Sequence, residues 1–130
     1  MAAVVKTKVW LELGERFVIG DGGLQLLLGI ARRGSLAAAC KSIGWSYRHA
    51  WGYLRRAEQV LGASLTSARP GRGASRGTEL TDLGQQVLER LRSARARVDE
   101  AVGPTGPTRA EIAARGRHTL RRRRRPRGAR

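Results

Sequence analysis

Arginine, in two clusters, supplies most of the chemistry open to this sequence. Ser46, Tyr47, Arg48, His49, Arg55 and Arg56 stand within eleven residues of one another, and Arg69, Arg72 and Arg76 are interleaved with Gly71, Gly73 and Gly77. A guanidinium presents five N–H donors in a planar fork that fits phosphate oxygens and the paired acceptors on a guanine edge. Glycine lets the backbone come close to such a partner. Other chemistries have less to use. Two histidines, at 49 and 118, and a single cysteine, Cys40, leave no set for a metal ion or a disulfide framework. The ten carboxylates are scattered, with no local Ser/His/Asp or Cys/His motif. The 69–77 loop lacks the Gly-Lys-Ser/Thr ending of a phosphate-cradling motif and the spacing of a dinucleotide fingerprint. No enzymatic activity, metal or cofactor is expected.

The charge balance points the same way. The 130 residues hold 26 Lys and Arg against 10 Asp and Glu, a net charge of +16. Residues 1–103 carry sixteen basic and nine acidic side chains, a net +7, while 104–130 carry ten Arg and only Glu111, a net +9. The later segment opens Pro104-Thr-Gly-Pro107, contains the run Arg121 to Arg125 and has few apolar residues. It is expected to be an Arg-rich disordered tail, either a non-specific nucleic-acid arm or a tail with no evolved role. Residues 1–103 are expected to form one domain, since the 41% of the whole chain that is hydrophobic suffices for a small core. Apolar runs such as 24–31 fall short of the roughly 18 residues a membrane helix needs, and the N-terminus has no apolar signal region. The expectation is a cytoplasmic, nucleoid-associated protein with no membrane partner.

Several elements must position the arginines. Val5, Thr7, Val9, Leu11 and Leu13 alternate with Lys6, Lys8, Trp10 and Glu12, which predicts a strand, with a shorter one over 17–19 after Gly14-Glu15-Arg16. Asp21 can cap a helix with Leu24, Leu27, Leu28 and Ala31 inward, ended by Gly34. Ser35 caps a short second helix with Leu36, Ala39 and Ile43 inward, ended by Gly44. Ser46 caps a third, with Ala50, Leu54, Ala57 and Leu61 inward, ended by Gly62. Short helix, tight turn and longer helix describe a helix-turn-helix. Cys40 reads as a small core residue, and Trp51 as core more readily than as surface. His49 reads as a surface or phosphate contact. The segments around 65–68 and 78–80 flank the Gly- and Arg-rich loop as a wing. Arg48, in the first turn of the third helix, is the first choice for a base edge; Arg55, Arg56, Arg72 and Arg76 suit phosphates. The fold class expected is mainly α with a small β component, a winged helix-turn-helix.

Thr81 caps a last helix, in which Val87, Leu91, Ala94, Val98 and Ala101 are spaced four, three, four and three. Two heptads fall short of an autonomous coiled coil. The part from Leu91 onward is nonetheless expected to project from the domain. Val87, Leu91, Ala94 and Val98 are therefore the expected dimerisation residues.

The run Gly34 to Trp51, followed by Leu61-Gly62 and Leu80-Thr-Asp-Leu-Gly84, resembles the winged helix of LysR-type regulators. Within that group, Ser46-Tyr47-Arg48-His49-Ala50-Trp51 is similar to the Ser-Tyr-(Lys/Arg)-x-Ala-Trp signature of the ModE branch, the molybdate-responsive regulators. The resemblance covers roughly 5–100. It implies a dimeric bacterial DNA-binding domain whose third helix enters the major groove of double-stranded DNA, on a pseudo-palindromic operator. Full-length members carry β-rich oxyanion-binding domains beyond this point. The 27 Arg-rich residues here are too few and too polar for one, so molybdate or other oxyanion binding is not expected of this chain. The alternatives are a nucleoid-type DNA coater dominated by its tail, and a sensor-less partner that heterodimerises with a full-length relative.

Overall fold

The computed structural model describes residues 3–71, 77–104 and 106–114. Chain order runs β1 (Leu11–Leu13), β2 (Arg16–Ile19), α1 (Asp21–Arg33), α2 (Leu36–Ile43), α3 (Tyr47–Leu61), β3 (Thr66–Arg69), β4 (Gly77–Leu80) and α4 (Asp82–Val102). Residues 109–114 are also helical. This is a winged helix-turn-helix, mainly helical with two antiparallel hairpins.

The first hairpin pairs Leu13 with Arg16 across the two-residue turn Gly14-Glu15, both at positive φ. That is the turn whose twist matches a two-residue hairpin. Its first strand is shorter than the alternation predicts. It begins only at Leu11, and Val4 and Val5 are exposed. Alternation alone cannot supply the partner strand that residues 5–10 would need.

Helix α1 occupies the centre of the core. Leu24, Leu26, Leu27 and Ile30 are all at most 4% exposed and pack with Leu36, Ala39, Cys40 and Ile43 of α2 and Ala50, Leu54 and Ala57 of α3. The α1–α2 approach depends on small residues, because a Cβ at Gly29 would lie 2.9 Å from the Ala39 Cβ. Gly34, Gly44 and Gly62 end the three helices in the left-handed conformation, each donating its N–H to a carbonyl four residues back. The start of α1 differs from expectation. Gly20 occupies the cap position, and Asp21 sits one residue inside, buried, where it accepts the Val9 N–H at 3.2 Å.

The wing and α4 are tied to this centre by backbone. Glu58 of α3 accepts the Leu65 N–H at 2.8 Å, the Thr78 N–H donates to the Gly34 carbonyl at 2.9 Å, and the Thr81 N–H donates to the Leu65 carbonyl at 3.0 Å. The Thr81 hydroxyl donates to the Ser64 carbonyl and accepts the Gly84 N–H, capping α4. Strands β3 and β4 pair from Thr66 opposite Leu80 to Arg69 opposite Gly77.

Helix α4 does not project from its own domain as the heptad spacing predicts. Val87 and Leu91 are 3% and 2% exposed and belong to the core. One turn on, Arg95 forms ion pairs with Asp21 of α1 at 3.2 Å and Asp99 at 2.7 Å, and also donates to the Thr7 hydroxyl. The first half of the predicted seam is consumed within the chain because α4 crosses α1. Ala94 and Val98, both half-buried, and the exposed Ala101 keep the rest of the seam open.

A second correction concerns the segment after 103. The helical residues 109–114 begin with a reciprocal cap, in which Thr108 accepts the Glu111 N–H at 3.2 Å and Glu111 accepts the Thr108 N–H at 2.6 Å. Ile112 and Ala113 are buried, and the Trp45 indole donates to the Ile112 carbonyl at 3.2 Å. The domain therefore continues past 104. The rest of the segment expected to be a tail, 115–130, lies outside the described residues.

Candidate nucleic-acid interface

Helix α3 enters its first turn under tight local control. Gly44, at φ 74°, closes the turn after α2, and the buried Trp45 fixes the chain before Ser46. The Ser46 hydroxyl accepts the His49 N–H at 3.0 Å and so caps α3. Its inward arc holds His49, Ala50, Leu54 and Ala57. Tyr53 lies along the same arc, and its hydroxyl accepts the Gly20 N–H at 2.9 Å.

The opposite arc is open. Tyr47 is 57% exposed, Trp51 is 50% exposed, and Arg48, Arg55 and Gln59 are exposed beside them. The Arg55 guanidinium carbon stands 4.9 Å from the centroid of the Trp51 ring, a cation–π contact that pre-orders both side chains. Arg56 is half-buried at the margin, with Nη1 3.3 Å from where a Cβ at Gly52 would sit. The outward arc thus presents two aromatic rings and two guanidinium groups, with no carboxylate among them.

Two residues lie opposite to their expected sides. His49, expected at the surface against phosphate, is 4% exposed and stands edge-on to Trp45, with ring centroids 4.5 Å apart. Trp51, expected in the core, is on the outward arc. The predicted stripe of Ala50, Leu54 and Ala57 is buried, and the buried face widens on one side to take in His49 and the half-buried Tyr53, while Trp51 falls outside it. The aromatic cluster of Trp45, His49, Tyr53 and Phe17 fills that side. Sequence reasoning weighted Trp51 by residue type; its spacing of four from both Tyr47 and Arg55 was the signal for the outward stripe.

The wing divides its arginines. Arg69 turns back onto the end of α1, with Nη1 2.8 Å from the Cβ position of Gly34. Its guanidinium lies near the carbonyl end of that helix, where cations are favoured. Arg72 and Arg76 lie outside the described residues. Ser46, Tyr47, Arg48 and Arg55 are therefore brought together on one face, Arg56 adjoins it, and His49 and Arg69 face the domain's own elements.

Residues 22–85 match the model of the bacterial regulatory helix-turn-helix proteins of the lysR family. This segment is a LysR-type helix-turn-helix domain. Seventy residues of the chain, 54% of it, are 34% identical to the molybdenum-pterin-binding protein MopB of Rhodobacter capsulatus. An alignment of the same length gives 30% identity to MopA of that organism. The chain spans only 26% of the length of either relative. The LysR-type match covers α1 almost entirely, the helix-turn-helix, the wing and the first residues of α4, so its class, a DNA-binding regulatory domain, is that of the face described above. Among the described residues no helix is long and apolar enough to cross a membrane.

Proposed function

We propose that this chain is a transcription regulator that binds double-stranded DNA as a homodimer, with α3 in the major groove and the wing on the adjacent backbone or minor groove. The outward arc of α3 carries the reading. Tyr47, Arg48, Trp51 and Arg55 stand exposed together on a helix whose other face is fully engaged with the core. Arg48, in the first turn, reads a base edge, for which a bidentate contact to guanine contributes about 1–3 kcal/mol of discrimination. Tyr47 and Ser46 hold the flanking backbone, and Arg55 with Arg56 grips phosphate further along. Arg72 and Arg76 of the wing add phosphate contacts.

The test is selection of bound duplexes from a random library, followed by comparison of variants on the selected site and on random DNA. Arg48→Ala should relax preference at one base position, with a loss of about tenfold to a hundredfold on the selected site and little on random DNA. Equal losses on both would remove Arg48 from base reading.

Val98 and Ala94 remain candidates for the dimer seam. Val4, Val5, Trp10, Leu13 and Phe17, all more than half exposed on the N-terminal segment and first hairpin, extend the apolar surface available to it. Sedimentation of Val98→Glu and Phe17→Glu separates the two surfaces, since the one that forms the seam should yield monomer. The relatives are named for molybdenum-pterin binding. The reading does not extend that property to this chain, because the alignment spans only about a quarter of their length.

A further inference from the structure

A cavity of about 200 Å³ lies behind the reading face, between the first hairpin, the start of α1 and the buried arc of α3. Five rings form much of its wall, those of Trp10, Phe17, Trp45, His49 and Tyr53. The inner three are fixed. Trp45 donates to the Ile112 carbonyl, and a Cβ on Gly22 would fall 2.7 Å from its ring. The Tyr53 hydroxyl accepts the Gly20 N–H and stands 2.7 Å from the Cβ position of Gly23. His49 is held edge-on to Trp45. Trp10 and Phe17, 51% and 52% exposed, form the mouth. An apolar cavity of about 150 Å³ is large enough to hold benzene. The space here therefore suits one substituted ring, and its walls stand ready without rearrangement.

Two charged side chains decide which ring compound fits. Asp21 lines the cavity, but one of its oxygens accepts the Val9 N–H at 3.2 Å and the other accepts Arg95 at 3.2 Å. Its charge is thus answered within the fold. Lys8 also lines the cavity, is exposed, and forms no ion pair among the described residues. The interior is aromatic with its carboxylate engaged, and the one cation still open stands with the exposed residues. We propose that this cavity binds a small aromatic carboxylate, ring inward and carboxylate at Lys8, and that its occupancy strengthens DNA binding by α3. The effect on DNA rests on the reading of α3 given above; the binding itself does not. Trp45 immediately precedes Ser46, the cap of α3, and His49 and Tyr53 lie on the buried arc of that helix. A ring touching all three favours the arrangement seen here, in which Tyr47 and Arg48 stand exposed on the other side. The coupling is reciprocal, so the selected duplex should tighten the carboxylate by the same factor.

The experiment follows fluorine NMR relaxation of para-fluorobenzoate with the full chain, beside para-fluorobenzylamine as the amine and trifluoroacetate as a ringless anion. Saturable fast relaxation is expected for the benzoate, with weaker effects on the other two. Gly20 lines the cavity in extended backbone, and its Cβ position is 3.4 Å from the Phe17 ring and 3.7 Å from the Trp10 Cβ. Gly20→Val therefore sets methyl groups in the mouth without backbone strain and should weaken the benzoate about tenfold or more. Should Gly20→Val fail to fold, Phe17→Ala removes a half-exposed wall and should weaken it as well. Lys8→Gln should cost about twofold to fivefold. Saturating para-fluorobenzoate should raise affinity for the selected duplex about fivefold or more in the parent and leave Gly20→Val unchanged. Trifluoroacetate or the amine binding as well as the benzoate, or benzoate binding equally to parent and pocket variants, would overturn the site. So would relaxation as in free solution, the result expected if a dimer seam over Trp10 and Phe17 closes the mouth. Binding with no gain in DNA affinity would overturn the coupling. Failure of the parent to select any duplex would overturn the α3 reading, while the relaxation measurement would still decide the site.

Discussion

Tyr53 shows how much one side chain on α3 contributes away from the reading face. Its hydroxyl accepts the Gly20 N–H and its ring packs against Trp45 and Phe17, joining the first hairpin to the helix. Burial pushes its pKa up to about 12, against the opposing effect of the backbone N–H groups of Gly20 and Gly23, and the Asp21 carboxylate adds to the rise. An unfolded tyrosine ionises near 10. The folded state therefore keeps a proton that the unfolded state loses, so Tyr53's contribution is complete below pH 10 and is lost between pH 10 and 12. Two pH units correspond to about 2–3 kcal/mol. Tyr53→Phe should be less stable at neutral pH, because Gly20 loses its acceptor, but its stability should fall less steeply over pH 10–12. Denaturant midpoints measured at pH 8, 10 and 11.5 check this. Parallel slopes for the two proteins would show that burial does not hold the proton.

Among the elements, glycines decide how closely helices and wing approach, and two of them predict opposite outcomes. A Cβ at Gly84, in the first turn of α4, would run into the Leu65 carbonyl oxygen, which is backbone and already accepts the Thr81 N–H. Gly84→Ala must push α4 off the wing and should cost about 1–3 kcal/mol. A Cβ at Gly52, within α3, meets only the far end of Arg56 at 3.3 Å. Gly52→Ala should raise stability by up to about 1 kcal/mol through helix propensity. Thermal midpoints distinguish the two. This element scale is also where the sequence was most legible. Serine or threonine at a start and glycine at an end are local signals, and Ser35, Ser46, Thr81, Gly34, Gly44 and Gly62 all act as such. The burial of His49 was not legible, because it depends on an aromatic cluster drawn from β2, the turn and the helix. The cap formed by Thr108 and Glu111 was written locally, but the density of Arg after it led the whole segment to be read as tail.

For the molecule as a whole, the Arg95 cluster joins parts that are remote in sequence. It links the N-terminal segment at Thr7, the start of α1 at Asp21 and the end of α4 at Asp99, across as many as 88 residues. The Arg95 and Asp21 side chains are 12% and 7% exposed, so removing the cation strands a buried carboxylate. Arg95→Met should cost about 3 kcal/mol, near the lower end for a broken buried pair because Asp99 is a third exposed. Urea unfolding provides the measurement, and Asp21→Asn together with Arg95→Met should recover part of the loss. No periodicity could reveal this link, since a pair 74 residues apart leaves no pattern in either neighbourhood.

The three tryptophans also give the chain a set of built-in optical reporters. Trp45, 8% exposed and bonded to Ile112, emits from an apolar setting, whereas Trp51, 50% exposed beneath Arg55, emits from water. Trp10 is exposed to a similar degree, just before the first hairpin. Stacking of a nucleic acid against α3 would quench the long-wavelength part of the spectrum, and release of residues 109–114 would shift the short-wavelength part. One unlabelled sample can thus distinguish an event on the outer face of α3 from one at its turn.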